Sequence, residues 1–117
     1  MSILPNADKV IIPEPKIKDY VLNFEREPNK ATAFRDALGY DLSNADALID
    51  NIRKNVKNFK AFEKPDNGYG MRYEVIMTLI GENGKTANVK TAWIIDSCTE
   101  ETRLTSVYVT KKRLRED

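Results

Sequence analysis

The apolar positions of this chain change their period once, near residue 70. Before that point they recur every three or four residues; after it they alternate. Val10-Ile11-Ile12, stopped by Pro13, reads as a brief edge strand or extended arm. Pro15 suits the first turn of a helix, and Ile17, Tyr20 and Val21 recur at helical spacing through to Asn23. A second helix is expected from Asn29 as N-cap, with Ala31, Phe34 and Leu38 on one face and Gly39 at its end. A third is expected from Ser43, with Asp46 three residues on in a loose capping box. Its apolar stripe is Leu48, Ile49, Ile52, Val56 and Phe59.

After the turn-forming stretch Pro65 to Gly70, Met71, Tyr73, Val75, Met77 and Leu79 alternate with Arg72, Glu74, Ile76, Thr78 and Ile80. Residues 86–96 form a second expected strand and Arg103–Lys111 a third, so helices come first and an antiparallel meander last. That order means α+β. Asn83-Gly84 suggests a two-residue hairpin turn, but that register sets Met77 opposite Lys90 and Tyr73 opposite Ile94. A three-residue loop, Glu82-Asn83-Gly84 with Gly84 left-handed, sets Met71, Tyr73, Val75, Met77 and Leu79 against Ile95, Trp93, Thr91, Val89 and Ala87. A slip of one residue flips a whole face, so the matched apolar face selects the three-residue loop. Val107 and Val109 then join the core face. Arg72, Glu74, Thr78, Asn88, Lys90, Ser106 and Tyr108 face the other way.

Composition narrows the chemistry. The chain has 117 residues, with 41% hydrophobic and 32% charged side chains, the balance of one globular domain. Residues 1–117 read as a single α+β domain, with 1–13 an extended arm and 111–117 a charged tail. Net charge is +1, although residues 1–50 carry six basic and nine acidic groups and residues 51–117 thirteen and nine. There is no histidine and one cysteine, which removes His-based catalytic pairs, His-bearing zinc sites, disulfides and multi-cysteine metal centres. No cofactor and no metal are expected. No signal peptide or membrane-length apolar run is evident, so a soluble, cytoplasmic protein without membrane contact is expected.

Most single motifs have a plain structural account. Cys98 has no activating partner and reads as an inert thiol. Asp66-Asn67-Gly68 reads as a turn, Gly68-Tyr69-Gly70 as a kink into a strand, and Trp93 as core packing. The basic run Lys111–Arg115 could touch phosphate, but a solvated tail accounts for it. The set of Arg72, Lys90, Ser106 and Tyr108 on the open sheet face is harder to dismiss. Its plain account is a solvated face with cross-strand ion pairs, each worth a few tenths of a kcal/mol.

Several segments together resemble a family of small bacterial proteins. They are Pro5-Asn-Ala-Asp-Lys9, Lys16-Ile-Lys-Asp-Tyr20-Val-Leu22-Asn23, Ala37-Leu38-Gly39, Gly70-Met-Arg-Tyr73-Glu-Val75, Val89-Lys-Thr91-Ala-Trp93-Ile94-Ile95 and Arg103-Leu104-Thr105-Ser106-Val-Tyr108. The resemblance spans nearly the whole length in order. Related domains are C-terminal toxin modules of contact-dependent inhibition proteins and stand-alone members of toxin–antitoxin pairs. The resemblance implies a toxin-type domain with a barnase/colicin/RelE-like ribonuclease layout, an RNA substrate and a cognate antitoxin or immunity protein. Many such toxins use a histidine, and this chain has none.

A histidine-free route is chemically available. Arg72 and Lys90 would stabilise the phosphate of a metal-independent cleavage by the RNA 2′-OH, and Tyr108 would transfer a proton or stack on a base. Ser106 would be an orienting donor and Lys30 an auxiliary cation from the helical half. The alternative is a non-catalytic binding or regulatory module, partner to a neighbouring gene product, on the same scaffold. Either function needs the same register, which makes one structural demand. Tyr73 and Trp93 must lie on one sheet face beneath the helices; a solvent-facing Trp93 would refute the pairing.

Overall fold

The computed structural model describes residues 2–66 and 68–111. Its second half is a four-stranded antiparallel sheet in the order β1 (Ala61–Lys64), β2 (Gly70–Ile80), β3 (Thr86–Asp96) and β4 (Thr102–Thr110). β2 and β3 pair Met71 with Ile95, Tyr73 with Trp93, Val75 with Thr91, Met77 with Val89 and Leu79 with Ala87. This is the register that the matched apolar partners require. The loop is the three-residue form: Gly81 N donates to Lys85 O at 2.8 Å and Gly84 N to Gly81 O at 3.1 Å. Gly84 supplies the left-handed residue with φ +79°.

Trp93 is 1% exposed, and Tyr73 packs partly buried against the same core. The indole Nε1 donates to Thr91 Oγ1 at 2.8 Å, and that hydroxyl donates onward to Val75 O at 2.7 Å. Thr91 thus satisfies the one polar atom of a buried tryptophan while spending its own proton on the neighbouring strand. β4 completes the meander with a bulge: Trp93 pairs with Leu104 and Ala92 with Ser106, leaving Thr105 as the extra residue. Leu104 and Val107, three positions apart, therefore both reach the core, while Ser106 and Tyr108 take the opposite face.

The helical half covers the core face. Helix α1 (Pro28–Leu38) buries Ala31, Phe34 and Leu38 and stops at Gly39, as its pattern predicts. Its cap is Glu27 rather than Asn29, because Pro28 occupies the first turn, where a missing N–H costs nothing. The close fit of the hairpin tip matters here: a Cβ on Gly81 would lie 2.2 Å from Leu38 O, so only glycine lets the last turn of α1 rest on the loop. Helix α2 (Ala45–Asn55) buries Leu48, Ile49 and Ile52. Its N-cap is Asn44 rather than Ser43, and the 3₁₀ turn before it, Leu42–Asn44, is capped by Asp41: Asp41 accepts from Ser43 N, and Asn44 Oδ1 accepts from Asp41 N, both at 2.8 Å. The stripe expected to run to Phe59 ends earlier. After α2 another 3₁₀ turn covers Val56–Asn58, so Phe59 reaches the core from an extended backbone.

One further expectation is corrected. The segment Lys16–Val21 is a π-helix, closed by Leu22 N to Ile17 O at 2.9 Å. Its wider turn carries Ile17, Val21 and Leu22 inward and leaves Tyr20 44% exposed, off the expected stripe. The N-terminal arm runs along the sheet edge and also packs inward: Leu4, Ala7, Val10 and Ile12 are buried in the main core. Ile11 bridges β4 in parallel, with Ile11 N to Thr102 O at 2.8 Å, while Ser2 O accepts from Ala61 N on β1 at 2.9 Å. One segment therefore occupies positions on both edge strands of the sheet. Of the expected tail, Lys111 is exposed and residues 112–117 lie outside the described residues. Among the described residues, no helix is long and apolar enough to cross a membrane.

Ile52 is fully buried in the middle of the α2 stripe. Ile52→Ala is expected to cost roughly 2–5 kcal/mol in denaturant unfolding, the sum of lost transfer energy and a residual cavity. A loss below about 1 kcal/mol would show that α2 does not carry the core.

Candidate functional site on the open sheet face

Strand alternation sends one set of side chains to the helices and delivers the complementary set to the other face. There Lys64 on β1, Arg72 and Glu74 on β2, Lys90 on β3, and Ser106 and Tyr108 on β4 line a hollow of about 490 Å³. That volume lies within the range of roughly 300–1,000 Å³ common to small-ligand sites. Four of the five sequence-derived candidates, Arg72, Lys90, Ser106 and Tyr108, are thus brought together. Lys30 is not in this hollow. It sits on α1 with its ammonium 5.8 Å from the centre of the Tyr108 ring, while the Lys90 ammonium lies 5.7 Å from the same ring.

The centre of the hollow is Glu74, which sequence reasoning placed on this face and gave no role. Its side chain is only 7% exposed, and its Oε2 receives both Lys64 Nζ and Lys90 Nζ at 3.3 Å. The geometry follows from the registers. Glu74 pairs across with Phe62 and Ala92, so Lys64 and Lys90 are its diagonal neighbours on the two flanking strands. Burial works against the charged carboxylate, but the hydrogen bonds and charges of the two lysines outweigh it and hold Glu74 below the usual carboxylate range. Lys90 is raised above the ordinary lysine value, chiefly by its hydrogen bond to Tyr108 and then, against desolvation, by Glu74. Arg72 is exposed, and among the described residues no carboxylate lies within ion-pair distance of it. Three cations against one carboxylate leave the hollow positive.

Lys64 is the other residue missed, because β1 itself was missed. Its only signal is the short alternation Ala61-Phe62-Glu63-Lys64 before Pro65. The remaining motifs take structural roles. Asp66 Oδ1 accepts from Gly68 N at 2.7 Å, a side-chain-closed turn. Asp96 does the same for Cys98 N at 2.7 Å and Thr99 N at 3.2 Å, leaving Cys98 exposed on the turn. Among the described residues, no group of three or more His, Cys, Asp or Glu side chains could hold a metal ion.

Fold and hollow together define an α+β protein with helices on one sheet face and a cationic depression on the other. The chain belongs to the family described as Domain of unknown function (DUF6883), which matches residues 3–111. No curated protein and no solved structure matches it.

Glu74→Gln should separate the two faces of the sheet energetically. With its pKa held below 4.5, Glu74 stabilises the fold above that value, and the contribution is lost as pH falls from about 4.5 through the depressed folded value. The variant should be less stable than the parent by about 1–2 kcal/mol at neutral pH, below buried-pair values because Lys64 is 40% exposed. Urea melts at pH 7 and pH 3 would check this: the gap should close at the lower pH, and a gap independent of pH would assign the cost to packing.

Proposed function

We propose that the open face binds the phosphodiester backbone of RNA and that the protein is a toxin-type, metal-independent endoribonuclease. The observation that supports this reading is the convergence of Lys64, Arg72 and Lys90 around a buried carboxylate, with Ser106 and Tyr108 on the same rim. Arg72, the exposed cation, would grip the phosphate with its planar fork. In the step itself Glu74 takes the proton from the substrate's 2′-OH, the 2′-oxygen forms a bond to phosphorus, and the bond from phosphorus to the 5′-oxygen breaks. The Tyr108 hydroxyl supplies the proton to the leaving oxygen. Lys90 stands between the two groups, bonded to Glu74 and beside Tyr108, where it stabilises the charge gained by the phosphate. An acidic antitoxin or immunity protein would complement the same positive hollow.

One observation favours the second reading, a non-catalytic module that binds an anionic partner. Acid–base residues work best with pKa values near the operating pH. Here Glu74 is moved down and Lys90 up, both away from neutrality.

Incubation with single-stranded RNA in EDTA separates the readings. The ribonuclease should yield ends bearing 2′,3′-cyclic phosphate and 5′-hydroxyl, and a substrate with deoxyribose at the cut site should be inert. Arg72→Ala and Lys90→Ala should each lower turnover by about 10²–10³-fold. For the exposed Arg72, stability should change by less than about 0.5 kcal/mol. Cleavage abolished by EDTA and restored by magnesium would overturn the mechanism, and tight binding without cleavage would establish the second reading.

A further inference from the structure

A second, smaller hollow of about 160 Å³ lies on the helical side of β4. Lys16 from the π-helix, Lys30 from α1 and Glu27 line it, together with Thr105 and Ser106 of β4. Thr105 and Ser106 also line the main hollow, so the bulged stretch of β4 is a sill between two depressions. Tyr108, further along β4, lines the main hollow but not the second, and its ring has the Lys30 ammonium 5.8 Å from its centre and the Lys90 ammonium 5.7 Å away. Positive charge therefore does not stop at the edge of the open face. It continues over β4 into a pocket that holds two lysines and one carboxylate.

We infer that this second hollow is a phosphate subsite for a nucleotide neighbouring the one held on the open face, so that a single RNA strand crosses β4 at Thr105 and Ser106 with Lys16 and Lys30 on its flanking phosphate. The inference rests on the reading of the open face as an RNA site. The chemistry suits a strand better than a lone anion, because two cationic pockets joined by a shared wall match successive phosphates on one chain. The β-bulge assists: the extra residue Thr105 bends β4 where the strand must pass, and its hydroxyl is spent on Ala92 O at 3.1 Å.

Fluorescence anisotropy with a 12-nucleotide RNA, 2′-O-methylated so that it cannot be cleaved, tests the subsite independently of catalysis. The parent, Arg72→Ala and the double variant Lys16→Ala/Lys30→Ala would be titrated between 50 and 200 mM salt, with circular dichroism confirming the fold of each. Arg72→Ala should weaken binding, and the double variant should weaken it by roughly tenfold while flattening the slope of log affinity against log salt by about 0.7, the value for one phosphate contact on a single strand. If Arg72→Ala weakens binding but the double variant keeps the parent's affinity and slope, the subsite is overturned and the open-face reading stands. A parent that fails to bind the RNA overturns both.

Discussion

The pairing of β2 with β3 is the constraint on which both faces of the sheet depend. A strand has only two sides, so a shift of one residue would carry Tyr73, Val75 and Met77 into solvent and Arg72 and Glu74 into the core. Two features hold the register. Gly84 closes the three-residue loop in its left-handed conformation, and Thr91, which accepts from Trp93 on its own strand, donates across to Val75 O on β2. Helix α1 then rests on the loop through Gly81, so the hairpin tip is held against the last turn of the helix. Packing on one face thereby dictates charge on the other.

The charged face is more than the residue left over from core formation. A solvated sheet face would hold its ion pairs at the surface, where each contributes little. Glu74 is instead almost fully covered, and it is held ionised by lysines from the strands on either side. Replacing such a trio with apolar residues is often neutral or stabilising, so stability alone does not account for it. The arrangement fixes the ammoniums of Lys64 and Lys90 at a known place above β2 and leaves Arg72 free of a carboxylate partner among the described residues.

Elements with a long, regular pattern were legible in the sequence. The hairpin register, the buried faces of α1 and α2, and the gathering of Arg72, Lys90, Ser106 and Tyr108 all follow from periodicity and pair matching. What escaped was short or depended on distant partners. β1 has four residues, too few for alternation to stand out, so Lys64 was missed with it. The π-helix differs from an α-helix by one residue per hydrogen-bonded turn, enough to move Tyr20 outward but invisible to a search for helical spacing. Lys30 shares a helix face with core residues, yet reaches Tyr108 only because α1 lies along β4. The covered state of Glu74 needed three strands to be assembled before it existed.

Thr105 has a meaning beyond local geometry. In an ordinary strand, inserting one residue exchanges inside and outside for everything that follows. Here the additional residue is absorbed as a bulge, so Val107 still faces the core and Tyr108 still faces the hollow. β4 is therefore a place where the chain can change in length by one without scrambling either surface. Core and charged face can diversify there independently, one constrained by volume and the other by whatever the positive hollow receives.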